Sequence, residues 1–251
     1  MPKQAGITKI TGTIGDITFY KTQDGLLAKQ KSEIRAKRIA SNPAFARTRE
    51  NGQEFGRAGK TGKVIKAAFN NLLSQTADNR MFSRLVQSIM IAQKADTVSI
   101  RGERNIITGN ASLLEKFDFN NRSPLGAVLQ VQFLADVDRA TGEATVTLEN
   151  FIPVKTIKAP EGTTHFKLLS AAAAINFAEG TFITTSTSTP EMLYGLELQP
   201  AITLTQNLPA NSEDFVFIVL GIEFYQQFNG VFYPLNSGNH NAITIVRVDM
   251  P

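Results

Sequence analysis

Two hydrophobic periods run along this chain, and the switches between them predict its elements. Between Gly12 and Lys31 the period is two: Ile17 and Phe19 alternate with Asp16, Thr18 and Tyr20. That alternation predicts a strand with one buried face. Asp24-Gly25 then predicts a hairpin turn, because glycine takes the positive φ that such turns need, and Leu26 to Lys31 forms the return strand. Two strands alone are marginal in water. This hairpin must therefore rest on the helices, on a second domain or on a neighbouring subunit.

After Ser41 the period changes to three and four. Asn42 predicts an N-cap and Pro43 the first helical position, where its missing N–H costs nothing. The helical pattern reaches about Leu73. Asp78 or Asn79 opens a second helix, in which Met81, Phe82, Leu85, Val86, Ile89 and Met90 make one apolar face. Such a stripe reads as a helix-packing surface rather than a cofactor box. "DTVSIRGERNIITG" (96–109) reads as a strand or a linker.

From about Leu125 the pattern is β to the end. A hairpin is expected around Thr141-Gly142, followed by strands in "HFKLLSAAAAINF", "GTFITTSTST", "GLELQPAITLTQNL", "DFVFIVLGIEFYQ" and "NAITIVRVDM". Ala171 to Ala174 fits a helical turn by composition, but its β-rich flanks favour a tightly packed strand. About seven short strands separated by Gly, Pro and Asn turns predict a β-sandwich, for which an immunoglobulin-like form is one option. The expected fold is α+β, mostly β: an N-terminal β-hairpin plus two helices (1–104), then a β-sandwich (105–251).

Composition narrows the chemistry. The chain of 251 residues has no cysteine, which removes disulfides, thiolate nucleophiles and Cys-based metal sites. His165 and His240 lie far apart and have no metal-ligand spacing. No G-x-S-x-G elbow occurs. Asp136 and Asp138 share a strand face near Glu143 and could hold a hard cation; the solvated tip of a hairpin is the better reading. No apolar run reaches the ~20 residues of a membrane span, and the N-terminus lacks the apolar core of a signal peptide. The expectation is a non-enzymatic protein made in the cytoplasm, without cofactor, metal or small-molecule substrate.

"GQEFGRAGKTGK" (52–63) resembles a phosphate-binding loop, since Gly59-Lys60-Thr61 matches the end of that motif. The position that needs the first glycine is Glu54, whose carboxylate would repel phosphate, and no buried strand precedes it. On a helix, Phe45, Gly52, Gly56 and Gly59 fall within about one quadrant. Each interior glycine costs about 1 kcal/mol against alanine. The stripe therefore makes sense either as a face approached closely by another backbone or as a break between two short helices.

Charge is the other organising feature. Residues 1–104 hold 19 Lys and Arg against 8 Asp and Glu, a balance of +11, whereas residues 105–251 hold 7 against 14, a balance of −7. Opposite halves can pair between copies, cancel within one monomer, or offer the basic half to a polyanion. Candidates for phosphate contact are Arg35, Lys37, Arg38, Arg47, Arg49, Arg57, Lys60, Lys63 and Lys66. Glu50 and Glu54 interrupt that patch, and no named nucleic-acid motif is present.

Taken together, "GTIGDITFYKTQDGLLAKQK", "NPAFARTRENGQEFGRAGK", "THFKLLSAAAAINFAEGTF" and "VLGIEFYQQFNGVFYPLN" resemble a family of uncharacterised bacterial proteins, common in Bacteroidota, that carry a domain of unknown function. The resemblance implies that the basic region and the β-rich region form one recurring unit; it implies no activity and no functional residue.

The leading expectation is a structural protein that joins copies of itself head to tail, basic half to acidic half, as a filament, tube or phage-like particle. Ile17, Phe19, Phe45, Gly52, Gly56 and Gly59 are the self-association candidates. The alternative is a nucleic-acid-associated protein that binds phosphates through its basic region.

Overall fold

The structure is a computed structural model that describes residues 3–4, 9–22, 25–31, 36–74, 76, 78–235 and 240–251. It is α+β and mostly β, and it divides into two compact units, Met1–Glu50 and Asn51–Pro251. The division falls inside the longest helix, whereas the charge balance changes sign near residue 104.

The first unit is a three-stranded antiparallel sheet followed by a short helix. Strands β1 (Gly12–Ile14), β2 (Ile17–Thr22) and β3 (Gly25–Gln30) lie in that order, and α1 (Ala36–Ser41) follows. The expected hairpin is β2–β3, and β1 extends it. Asp24, half of the expected turn, lies outside the described residues; Gly25 has φ 114°. After α1, the Asn42 side chain accepts the Ala44 N–H at 2.9 Å and Pro43 opens a 3₁₀ turn, as the capping pattern predicts.

The second unit has three layers. Its helical layer comprises α2 (Ala46–Ala68) from Asn51 onward, α3 (Asn70–Leu73) and α4 (Met81–Lys94). Helix α2 runs unbroken through Gly52–Lys63, which settles the choice between one helix and two. On α4, Met81, Leu85, Val86 and Ile89 are buried, with Phe82 and Met90 packed at the margin, so the apolar stripe is a packing face. The segment 96–109 is a loop rather than a strand.

Two one-turn helices flank the smaller sheet: α5 (Leu125–Val128) precedes β4 (Phe133–Asp138) and β5 (Glu143–Leu148), and α6 (Pro153–Thr156) follows them. The chain then forms β6 (His165–Asn176), β7 (Thr181–Ser188), β8 (Met192–Leu193), β9 (Ile202–Asn207), β10 (Phe215–Phe228), β11 (Val231–Pro234) and β12 (Ala242–Asp249). Strands β6 and β10 pair at the centre of a six-stranded antiparallel sheet. The other edge of β10 takes β12 and then β11, and the other edge of β6 takes β7 and β8. The smaller sheet has the order β4-β5-β9.

The central strands are buried on both faces, and their alternation assigns each residue to a layer. On β6, Leu169, Ala171, Ala173 and Ile175 pack with Ile65, Phe69, Leu85 and Ile89 of the helical layer. Phe166, Leu168, Ala172 and Ala174 pack with Val146, Leu148 and Leu204 of the smaller sheet. Strand β10 repeats this, with Phe215, Phe217 and Val219 toward the helices and Val216, Ile218, Leu220 and Ile222 away from them. The Ala171–Ala174 run is therefore a strand pressed from both sides. In an immunoglobulin-type sandwich both outer faces meet solvent; here helices cover the outer face of the larger sheet.

Candidate functional site

In the first unit, cross-strand register sorts the sheet into two faces. Ile17 and Phe19 pair with Gln30 and Ala28, Lys21 pairs with Leu26, and Ile14 pairs with Ile17. Directly paired residues point the same way. One face thus carries Ile14, Ile17, Phe19, Leu26 and Ala28, together with Lys21 and Gln30. The other carries Thr13, Thr18, Tyr20, Leu27 and Lys29, with the Lys29 ammonium 5.4 Å from the centre of the Tyr20 ring.

The apolar face is only partly covered. Ile14 is 60% and Ile17 46% exposed, while Phe19, Leu26 and Ala28 are half-buried. A hollow of about 560 Å³ opens beside Ile17 and Ala28. No described residue from 3 to 50 is buried. Sequence reasoning found Ile17 and Phe19 but missed Ile14, because β1 is only three residues long, and missed Leu26 and Ala28, because the face they share with Ile17 is set by the register across the turn.

On α2 the residues that face the core are Glu54, Ala58, Thr61, Gly62, Ile65 and Ala68. At 100° per residue, the stripe of Gly52, Gly56 and Gly59 lies on the opposite side. A Cβ added at any of these three would meet nothing within 4 Å. Phe55, beside the stripe, is 61% exposed. The glycine that admits a close neighbour is Gly62, where a Cβ would lie 3.3 Å from Val86 and 3.4 Å from Phe82 and Ile89. The expected thin face exists, but no described residue of its own unit packs against it. Phe45, in the 3₁₀ turn before α2, is half-buried.

The basic candidates separate by what they touch. Arg47 forms an exposed pair with Glu50 at 3.0 Å. Arg49 donates to the carbonyls of Ile39 (2.8 Å) and Asn42 (2.9 Å), at the end of α1. Arg57 donates twice to the Gly102 carbonyl, at 2.5 and 2.6 Å. Lys37, Arg38, Lys60, Lys63 and Lys66 are exposed, and Arg35 lies outside the described residues. Glu54, the residue that spoils the phosphate-loop motif, is buried and accepts the Gly102 N–H at 2.8 Å.

The acidic hairpin tip is tied into its own turn. The Asp138 carboxyl is held below the usual carboxylate range by hydrogen bonds from the Thr141 hydroxyl and the Ala140 N–H. Among the described residues no three His, Cys, Asp or Glu side chains gather as a metal site would need. Likewise, no helix among them is long and apolar enough to cross a membrane.

No family model and no curated protein matches this chain. Among solved structures, one from work on pH-induced modulation of Streptococcus parasanguinis adhesion by Fap1 fimbriae is similar over 47% of this chain and 80% of its own. The identity is 12% and the TM-score 0.23, a likeness too slight to carry an argument.

Proposed function

We propose that this chain is a non-enzymatic structural protein that associates with copies of itself, as a subunit of a filament, tube or phage-like particle. The observation that carries this reading is the open apolar face of β1–β3, in a unit that buries none of its described residues. A small sheet gains its stability by packing one face against something, and contiguous exposed apolar surface marks an interaction site. A second copy is the natural cover, because the +11 of residues 1–104 is complementary to the −7 of residues 105–251. Contact between unlike patches closes into a ring or continues as an open filament, according to the rotation between subunits. The bare outward strip of α2 offers a second contact.

The test is light scattering and electron microscopy of the purified chain over a range of salt, alongside the double variant Ile17→Lys/Phe19→Ser. Regular assemblies of the native chain that the variant cannot form are expected. A native chain that stays monomeric at every ionic strength overturns the reading. The exposure of Lys60, Lys63 and Lys66 along α2 favours a second reading, phosphate-backbone binding. It requires a steep fall in affinity for random DNA as salt rises, and a flat response excludes it.

A further inference from the structure

Gln93 sits one residue before the end of α4. It is 1% exposed, and neither atom of its side-chain amide has a hydrogen-bond partner. Buried amides are nearly always paired, so one without a partner in its own chain calls for a partner from outside it, a water or a ligand. Gln93 belongs to the wall of a cavity of about 340 Å³ within the second unit. That volume is at the small end of the roughly 300–1,000 Å³ typical of ligand pockets.

The other walls define the chemistry. Val64, Ile106 and Phe177 supply apolar surface, while Lys60 and Glu179 place one charge of each sign on the wall. Both charged residues are exposed, and they do not form an ion pair with each other. Arg57 also lines the cavity and keeps its charge, but two of its N–H groups are turned to the Gly102 carbonyl, so Lys60 is the cation with more freedom to meet a ligand. A primary amide presents a donor beside an acceptor, and its complement is another amide. A molecule that matches all three features has an amide in the middle, an anionic end and a cationic end.

We propose that this cavity binds a short zwitterionic peptide, its amide against Gln93, its carboxylate toward Lys60 and its ammonium toward Glu179. The site does not depend on self-association. The test is titration of the full chain with Ala-Gly, Ala-Val and Ala-Phe, followed by calorimetry and saturation-transfer NMR, with the N-acetylated, C-amidated form of the best binder as control. At least one dipeptide is expected to bind, and blocking its ends should weaken it. Gln93→Met, which keeps the volume and removes the amide, should weaken binding by about tenfold or more. Lys60→Ala and Glu179→Ala should each weaken it several-fold. Because both residues are exposed, these two variants carry the test if Gln93→Met does not fold. No binding by any of the three dipeptides overturns the proposal, as does equal binding by the blocked peptide or by all the variants.

Discussion

Glu54 and Gly102 are 48 residues apart in the chain, yet the buried Glu54 carboxylate accepts the Gly102 N–H at 2.8 Å. One turn along α2, Arg57 takes the carbonyl of the same glycine. Both backbone polar groups of a buried residue are thus satisfied by side chains of one helix face. The 101–104 loop is held to α2 by this clasp, with Arg104 approaching Glu54 at 4.0 Å. A segment that resembles a phosphate loop in sequence is, in the fold, a device for anchoring another part of the chain.

Glu54→Ala leaves the Gly102 N–H buried without an acceptor. Such a loss costs about 1–3 kcal/mol. Urea unfolding at fixed protein concentration should register a drop of that size. Glu54→Gln keeps an acceptor oxygen and should lose less. Equal losses in the two variants would mean that the hydrogen bond contributes little.

Asp96 anchors the same loop from its other end. Its carboxylate accepts the N–H groups of Val98 and Ser99, both at 2.9 Å, and the Thr108 hydroxyl at 2.5 Å. Burial pushes its pKa up, but hydrogen bonds from Ser99, Thr108 and Val98 outweigh burial and hold it well below the usual carboxylate range. A depressed folded-state pKa contributes stability that is fully present above the unfolded value, about 3.9, and is lost as pH falls toward the folded one. Stability measured from pH 7 to pH 2 should therefore fall below about pH 4. Asp96→Asn should start less stable at neutral pH and show a flatter acid limb. An unchanged acid limb would remove Asp96 from the account.

Local signals were legible in the sequence, and long-range ones were not. The Asn42-Pro43 cap, the α4 stripe and the Thr141-Gly142 hairpin each depend on a few adjacent residues, and each stands where expected. The Gly52–Gly56–Gly59 stripe was readable as a geometric line, but not its direction. The core side of α2 is made of Ala58, Thr61, Gly62, Ile65 and Ala68 around a buried Glu54, which gives little hydrophobic contrast. The roles of Arg49 and Arg57 depend on carbonyls 7 to 45 residues away, so both read as free cations in sequence. Strands β8 and β11 have two and four residues, too few to show a period, and they are ordered by pairing with β6 and β10. The orphan amide of Gln93 carries no sequence signal, since glutamine near the end of a helix is ordinarily solvated.

Two glycines of the β-rich unit are required for different reasons. Gly142 has φ 79°, and a Cβ there would lie 2.2 Å from the Leu208 carbonyl oxygen. Gly142→Ala must leave the left-handed region or push β9 away, and should cost at least about 2 kcal/mol. Gly221 lies within β10, where a Cβ would meet Ile243 at 2.6 Å and the Ala242 carbonyl at 2.8 Å. Gly221→Ala overpacks the β10–β12 contact and should cost about 1–3 kcal/mol. Urea midpoints for both variants check this. A neutral Gly221→Ala would show that β12 can shift at little cost.

The outward glycines of α2 make the opposite prediction for the single chain. Gly52 and Gly56 are exposed and have no atom within 4 Å of an added Cβ. Alanine at either should stabilise the monomer by about 1 kcal/mol through helix propensity alone. Leucine at Gly56 should also fold, because it projects into open space. If another copy's backbone lies against this strip, as the proposed self-association allows, Gly56→Leu keeps the fold and prevents assembly. Thermal unfolding and electron microscopy of the same preparation separate the two effects. Loss of assembly with an equal or higher Tm places the strip in the interface. Normal assembly by Gly56→Leu removes it, and leaves the apolar face of β1–β3 to hold copies together without close packing on α2.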